Sequence, residues 1–170
     1  MFAPFAYFEE KNDIFSIELL HLKDNEAVLT KKDIRLCVPF QKIVLFRETG
    51  YTDSQNFLLY ETDVIEIHFV YRTCILVGFT IIFYDLKNSR FTVEPFVGIF
   101  PETGDIFLYD EQYPYVFEFK SLSDLISSPS QIYRLGNYYE IEKGDSEDKK
   151  RAMYGIMKLK KDLRNFRSII

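Results

Sequence analysis

Val64-Ile65-Glu66-Ile67-His68-Phe69-Val70-Tyr71, residues 64–71, is the stretch on which the reading of the fold turns. In an extended chain Ile65, Ile67, Phe69 and Tyr71 fall on one side and Glu66, His68 and Val70 on the other, the two-residue period of a half-buried strand. Two turn residues, Arg72-Thr73, lead into Cys74–Tyr84, an apolar run interrupted only by Gly78 and Thr80. That run does not alternate, so it reads as a central strand covered on both faces. A connector this short forces the two strands antiparallel.

Working outward, Phe57–Tyr60, Phe91–Phe100, Ile106–Tyr109 and Tyr115–Phe119 are further runs rich in strand-forming residues, separated by turn-like clusters. Gln131–Ile141 adds one irregular strand, broken at Gly136-Asn137. Ser121-Leu122-Ser123-Asp124 reads as the start of a short helix, Leu122–Ile126, stopped by Ser127-Ser128-Pro129. The first fifty residues read mostly as helix and loop. Asn12-Asp13 would cap a helix Ile14–Leu22 with Ile14, Ile17, Leu20 and His21 on one face. Thr30-Lys31-Lys32-Asp33 would open a second to Cys37. Pro39 and Gly50 would bracket a third, Phe40–Glu48, although Ile43-Val44-Leu45-Phe46 suits a strand equally. After a polar hinge, residues 145–170 space Ala152, Ile156, Leu159, Leu163, Phe166 and Ile170 as one apolar stripe flanked by basic residues. That stripe suits an amphipathic helix docked on its own sheet, or a homodimer contact. The fold class expected is therefore α+β in a single domain, 1–170. Its antiparallel sheet of about five to seven strands, over about 56–141, would be packed with N-terminal helices and a C-terminal amphipathic helix.

Composition narrows the function classes. Seventeen Phe, twelve Tyr and no Trp favour sheet and leave rigid amphipathic rings for a binding surface. Residues 1–144 carry a net charge of −9 and residues 145–170 carry +4, within a total of −5. An acidic body disfavours nucleic acid, which needs clustered cations, and favours a basic partner. Cys37 and Cys74 lie in apolar runs with no Cys-x-x-Cys, so they read as two reduced core thiols of a cytoplasmic protein. No apolar run is long enough for a membrane-spanning helix, and the apolar N-terminus lacks a basic leader region, so no membrane role is expected.

No motif for a metal, a nucleotide cofactor or a catalytic nucleophile is present, and the expectation is no enzyme, no cofactor and no metal. His21 and His68 stand apart, and His68 beside Glu66 reads as a satisfied surface histidine. A Cys–His dyad would require partners that meet only in space. The one enzymatic pattern is Asp105 followed by Glu118-Phe119-Lys120. In a restriction-type nuclease two such carboxylates hold Mg²⁺ while the lysine polarises the attacking water. The same residues suit another role. Glu102, Asp105, Asp110, Glu111 and Glu118 with Tyr109, Tyr113 and Tyr115 combine negative charge with rigid aromatic area, which suits a protein-binding surface.

Pro39–Gly50, Thr103–Asp110 and Phe119–Ile126, three segments between residues 39 and 126, resemble parts of the SMI1/KNR4-like (SUKH) superfamily, which includes many bacterial immunity proteins. Pro39–Gly50 looks like its proline-led helix ending in glycine, Thr103–Asp110 like its late hairpin strand, and Phe119–Ile126 like its closing helix. The acidic-Trp feature of the family is missing, since the chain has no Trp. The resemblance implies an α+β domain that neutralises a cognate toxin without catalysis. The function expected is thus a cytoplasmic protein-binding domain, an immunity-type inhibitor of a basic toxin. The alternatives are a viral or phage accessory protein with a structural or host-binding role, and the Mg²⁺-dependent nuclease.

Overall fold

In the computed structural model, residues 4–100, 108–109, 113–114 and 116–143 are described. The helices expected in the first fifty residues are strands. β1 (Pro4–Phe8), β2 (Asp13–His21), β3 (Glu26–Lys31), β4 (Ile34–Pro39), β5 (Ile43–Thr52) and β6 (Leu58–Tyr60) form one antiparallel sheet in the order β4-β3-β2-β1-β5-β6. The polar clusters with the character of helix caps are hairpin turns. Asn12, Asn25 and Lys32 each adopt positive φ, which closes β1–β2, β2–β3 and β3–β4 in two to four residues. Phe15 and Ile17 are buried two apart, while Leu19 and Leu20 are exposed, so the spacing of Ile14, Ile17 and Leu20 was no helical face. Pro39 opens only one 3₁₀ turn, Phe40–Lys42. Gly50, at φ +79°, sits where the β5–β6 register shifts, so it marks an irregularity in a strand rather than a helix end. The first SUKH-like segment is consequently strand, not helix.

The chain then builds a second layer. β7 (Asp63–Tyr71), β8 (Cys74–Asp85), β9 (Arg90–Val93) and, much later, β14 (Ser130–Asn137) form a four-stranded antiparallel sheet in the order β14-β7-β8-β9. Phe91–Phe100 is not one strand, because Glu94-Pro95 separate β9 from β10 (Phe96–Val97). Two small ribbons complete the described strands. β11 (Leu108–Tyr109) pairs β12 (Tyr113–Pro114), and β10 pairs β13 (Val116–Phe117). The expected single sheet over 56–141 is thus divided, and among the described residues strands predominate, with only two short α-helices. α1 (Leu122–Ile126) starts where Ser121 accepts a hydrogen bond from the Asp124 N–H, and α2 (Tyr138–Lys143) follows β14 directly. The expected C-terminal helix falls outside the described residues, and no helix of its kind packs on either sheet among them.

Each sheet has its own core. Ala6, Phe8, Phe15, Ile17, Ala27, Leu29, Val38 and Ile43 fill the first. Ile65, Ile67, Ile82, Val93, Phe96, Leu122, Leu125 and Ile132 fill the second, joined by Leu59 from β6. Phe96 stacks on Phe117 and Phe119, and its ring lies directly over Gly78. A Cβ at position 78 would stand 2.3 Å from the Phe96 ring, so glycine is what lets the ring settle on the sheet.

The two sheets meet at a polar seam. Asp63 begins β7 with its side chain fully buried, and Arg134 of β14 holds both its oxygens through Nε at 2.5 Å and Nη2 at 3.1 Å. The Tyr60 N–H, at the end of β6, donates to the same carboxylate at 2.9 Å. Asp53 accepts the N–H groups of Gln55 and Phe57 on one oxygen and that of Arg134 on the other. Ser54 exchanges two hydrogen bonds with Ile132. Buried Asn137 donates to Thr62 Oγ1, and Thr62, at φ +69°, donates its own N–H to Ile82. One segment, residues 53–63, therefore joins both sheets to β14.

Removing one partner of a buried pair leaves the other uncompensated. Asp63→Ala should destabilise the fold by about 3–5 kcal/mol in urea unfolding, and Asp63→Leu with Arg134→Met should recover most of that loss. A loss in the single variant within the ordinary surface range of about 0.5 kcal/mol would contradict the role given to the seam. Gly78→Ala should cost about 1–3 kcal/mol by displacing Phe96, and Phe96→Leu in the same chain should relieve part of it.

Candidate functional site

Of the eight residues singled out in the sequence, three lie among those described: Tyr109, Tyr113 and Glu118. Glu102, Asp105, Asp110, Glu111 and Tyr115 lie outside the described residues. The backbone register of β11 and β12 sets Tyr109 opposite Tyr113. β10 and β13 pair Phe96 with Phe117, so Glu118, one residue beyond, lies at the same end of the ribbon as Glu94. Both glutamates are exposed. From Phe91 to Phe119 the chain carries Glu94, Glu102, Asp105, Asp110, Glu111 and Glu118 and no Lys or Arg. The aromatic cluster of Phe69, Phe96, Phe117 and Phe119 joins the β10–β13 ribbon to β7 of the second sheet.

Of the nuclease pattern, Asp105 is outside the described residues, while Glu118 and Lys120 are both exposed just before α1. Among the described residues no three His, Cys, Asp or Glu side chains converge as metal ligands.

The cysteine expectation needs correction, whereas His68 is satisfied by Glu66 as expected. His68 is half-buried. Its Nε2 lies 2.5 Å from Glu66 Oε1, and its ring meets Tyr133 edge-on at 5.0 Å. Glu66 is itself buried, so the polar side of β7 is covered at this point. Cys37 is exposed and Cys74 partly so; neither is a core thiol. Cys37 stands on edge strand β4, where alternate side chains face water. Its thiol donates to Glu26 Oε2 at 3.1 Å. That hydrogen bond, a small burial effect and the charges of Glu26 and Asp24 push the thiol pKa up, which is the opposite of nucleophile activation.

Sequence reasoning missed the cavities between the sheets, because each is lined from elements far apart in the chain. One, of about 510 Å³, lies among Phe5, Asp13, Lys31, Tyr60, Arg134 and Glu140. Its cations Lys31 and Arg134 are already paired with Asp13 and Asp63. Another, of about 400 Å³, lies between β5 and the β8–β9 hairpin, with Arg47, Tyr51, Tyr84, Arg90 and Phe91 in its wall. Arg47 stacks over the Tyr84 ring at 4.3 Å, and Phe91 meets Tyr84 edge-on at 5.1 Å.

No known protein family, curated protein or solved structure matches the chain. No helix among the described residues is long and apolar enough to cross a membrane.

The Glu26 contact makes a checkable statement about Cys37. A raised pKa lowers the thiolate fraction at any given pH below it, so alkylation of Cys37 should be slower than that of a free thiol at mildly alkaline pH. Glu26→Gln should shift the rate profile to lower pH and speed the reaction. A profile unchanged by that substitution would contradict the assigned cause.

Proposed function

We propose that the protein is a non-enzymatic, cytoplasmic domain that binds a basic protein partner, as an immunity-type inhibitor does when it neutralises a basic toxin. The observation that carries this reading is the run of six carboxylates without a cation between Phe91 and Phe119, interleaved with Tyr109, Tyr113 and Tyr115. Two features of the fold support it. The pairing of β10 with β13 sets exposed Glu94 and Glu118 at one end of a ribbon, and the pairing of β11 with β12 sets Tyr109 opposite Tyr113.

The physical logic is electrostatic. A toxin that grips nucleic acid must be basic, so an inhibitor gains from carboxylates that neutralise its surface and steer the encounter. Tyrosines add apolar contact at small cost in side-chain entropy while keeping a polar tip for hydrogen bonds. The stacked phenylalanines beneath the ribbon would hold such a surface in place before the partner arrives, which lowers the ordering cost of binding.

The test has two stages. A partner recovered from the native host by affinity capture should be basic, and its toxicity should be relieved by co-expression of this protein. Association should then be fast at low salt and slow as salt rises, and Asp110→Lys with Glu111→Lys should reduce both the rate and its salt dependence. A neutral or acidic partner, or association kinetics indifferent to salt, would contradict the reading.

A further inference from the structure

The cavity between β5 and the β8–β9 hairpin has a chemistry of its own. Arg47, Thr49 and Tyr51 enter it from the first sheet, on alternate residues of β5. Tyr84, Ser89, Arg90 and Phe91 enter from the second sheet, around the hairpin that joins β8 to β9. Ser121 and Ser123 close the third side from the start of α1. The strand period explains the first set, since residues two apart share a face. The hairpin explains the second, since Tyr84 and Phe91 are directly opposed in its register.

Neither Arg47 nor Arg90 forms an ion pair with a carboxylate among the described residues, and Arg47 is held instead against the Tyr84 ring. Asp85, opposite Arg90 in the hairpin, feels its charge, but its oxygens accept from Asn88 Nδ2 and from the N–H groups of Lys87 and Asn88. The larger cavity beside Arg134 contrasts with this, because Lys31 and Arg134 there are already answered by Asp13 and Asp63. Two guanidinium groups on facing sheets are thus offered to one space in a protein whose net charge is −5.

From this we infer that the cavity binds a phosphate monoester carrying a planar ring, of the class of a nucleoside monophosphate. A phosphate monoester brings about −1.5 to −2 charges at neutral pH, which matches two arginines better than the single charge of a carboxylate. The guanidinium fork also suits phosphate oxygens geometrically. Ser89 and Ser123, at the rim, supply hydroxyl donors for the remaining oxygens. Tyr51, Tyr84 and Phe91 supply the aromatic wall on which a planar ring stacks. A cavity of about 400 Å³ lies within the size range of small-molecule sites. Bound there, the ligand would bridge the two sheets and stabilise the folded state by mass action.

The test is calorimetric titration of the full chain with adenosine monophosphate and uridine monophosphate, alongside adenosine, uridine and inorganic phosphate. Arg47 and Arg90 are both exposed, so Arg47→Gln and Arg90→Gln should leave the fold intact, which thermal unfolding without ligand checks. The expected result is saturable binding of at least one monophosphate, tighter than its nucleoside or phosphate alone. Each arginine substitution should weaken it about ten- to a hundredfold. Lys42→Gln, at a cation paired with Glu10 outside the cavity, should leave it unchanged. Saturable binding of neither monophosphate, equal affinity for inorganic phosphate or for the nucleoside, or affinity indifferent to both arginine substitutions would each overturn the inference.

Discussion

The carboxylate of Asp63 is out of contact with water, and the arrangement of both sheets follows from how it is satisfied. Burial pushes its pKa up, and the Arg134 hydrogen bonds and charge together with the Tyr60 N–H pull it back. A lone buried carboxylate would cost several kcal/mol, so the chain must bring a guanidinium and a backbone donor to one point. The donor comes from β6, the last strand of the first sheet, and the guanidinium from β14, the edge strand of the second. Such a pair adds little net stability over an apolar isostere, but it penalises every arrangement that separates its members. Buried Asp53 and Asn137 extend the same logic along the seam, Asp53 accepting from Arg134 and Asn137 donating to Thr62, and exposed Ser54 adds its two bonds to Ile132.

Function on this account is a consequence of that junction. Because β6 and β7 are joined by only two residues, Glu61-Thr62, the first sheet cannot swing away from the second. The two mixed-sheet cavities therefore have walls fixed from both sides. In the core of the second sheet the Phe96 ring, seated on Gly78, holds the β10–β13 ribbon. One framework thus carries an acidic, tyrosine-bearing segment and a cavity lined by two arginines.

Local chemistry was legible in the sequence where neighbours in the chain are neighbours in space. The alternation of Ile65 and Ile67 and the cap at Ser121 are of that kind. The first fifty residues misled because their turns use Asn12, Asn25 and Lys32 at positive φ rather than the glycines that usually announce a hairpin, and because Thr30-Lys31-Lys32-Asp33 has the polarity of a helix cap. Ile14, Ile17 and Leu20 fit a helical spacing by chance while the buried Phe15–Ile17 pair carried the true period. The seam was illegible for a different reason. Arg134 meets Asp63 across 71 positions and Asp53 across 81, and nothing local marks either aspartate as buried. The same distance hid the arginine-lined cavity, whose parts span β5 to α1.

Native-state hydrogen exchange tests most directly whether the seam makes the two sheets one unit. The amides of Tyr60, Thr62, Ile132 and Arg134 donate across it to Asp63, Ile82, Ser54 and Asp53. If the seam is the joint on which both sheets depend, these four should exchange only by global opening, with the same free energy as the most protected amides in the cores of β2 and β8. Exchange of the seam amides through a separate, lower-energy opening, with both sheet cores still protected, would contradict it.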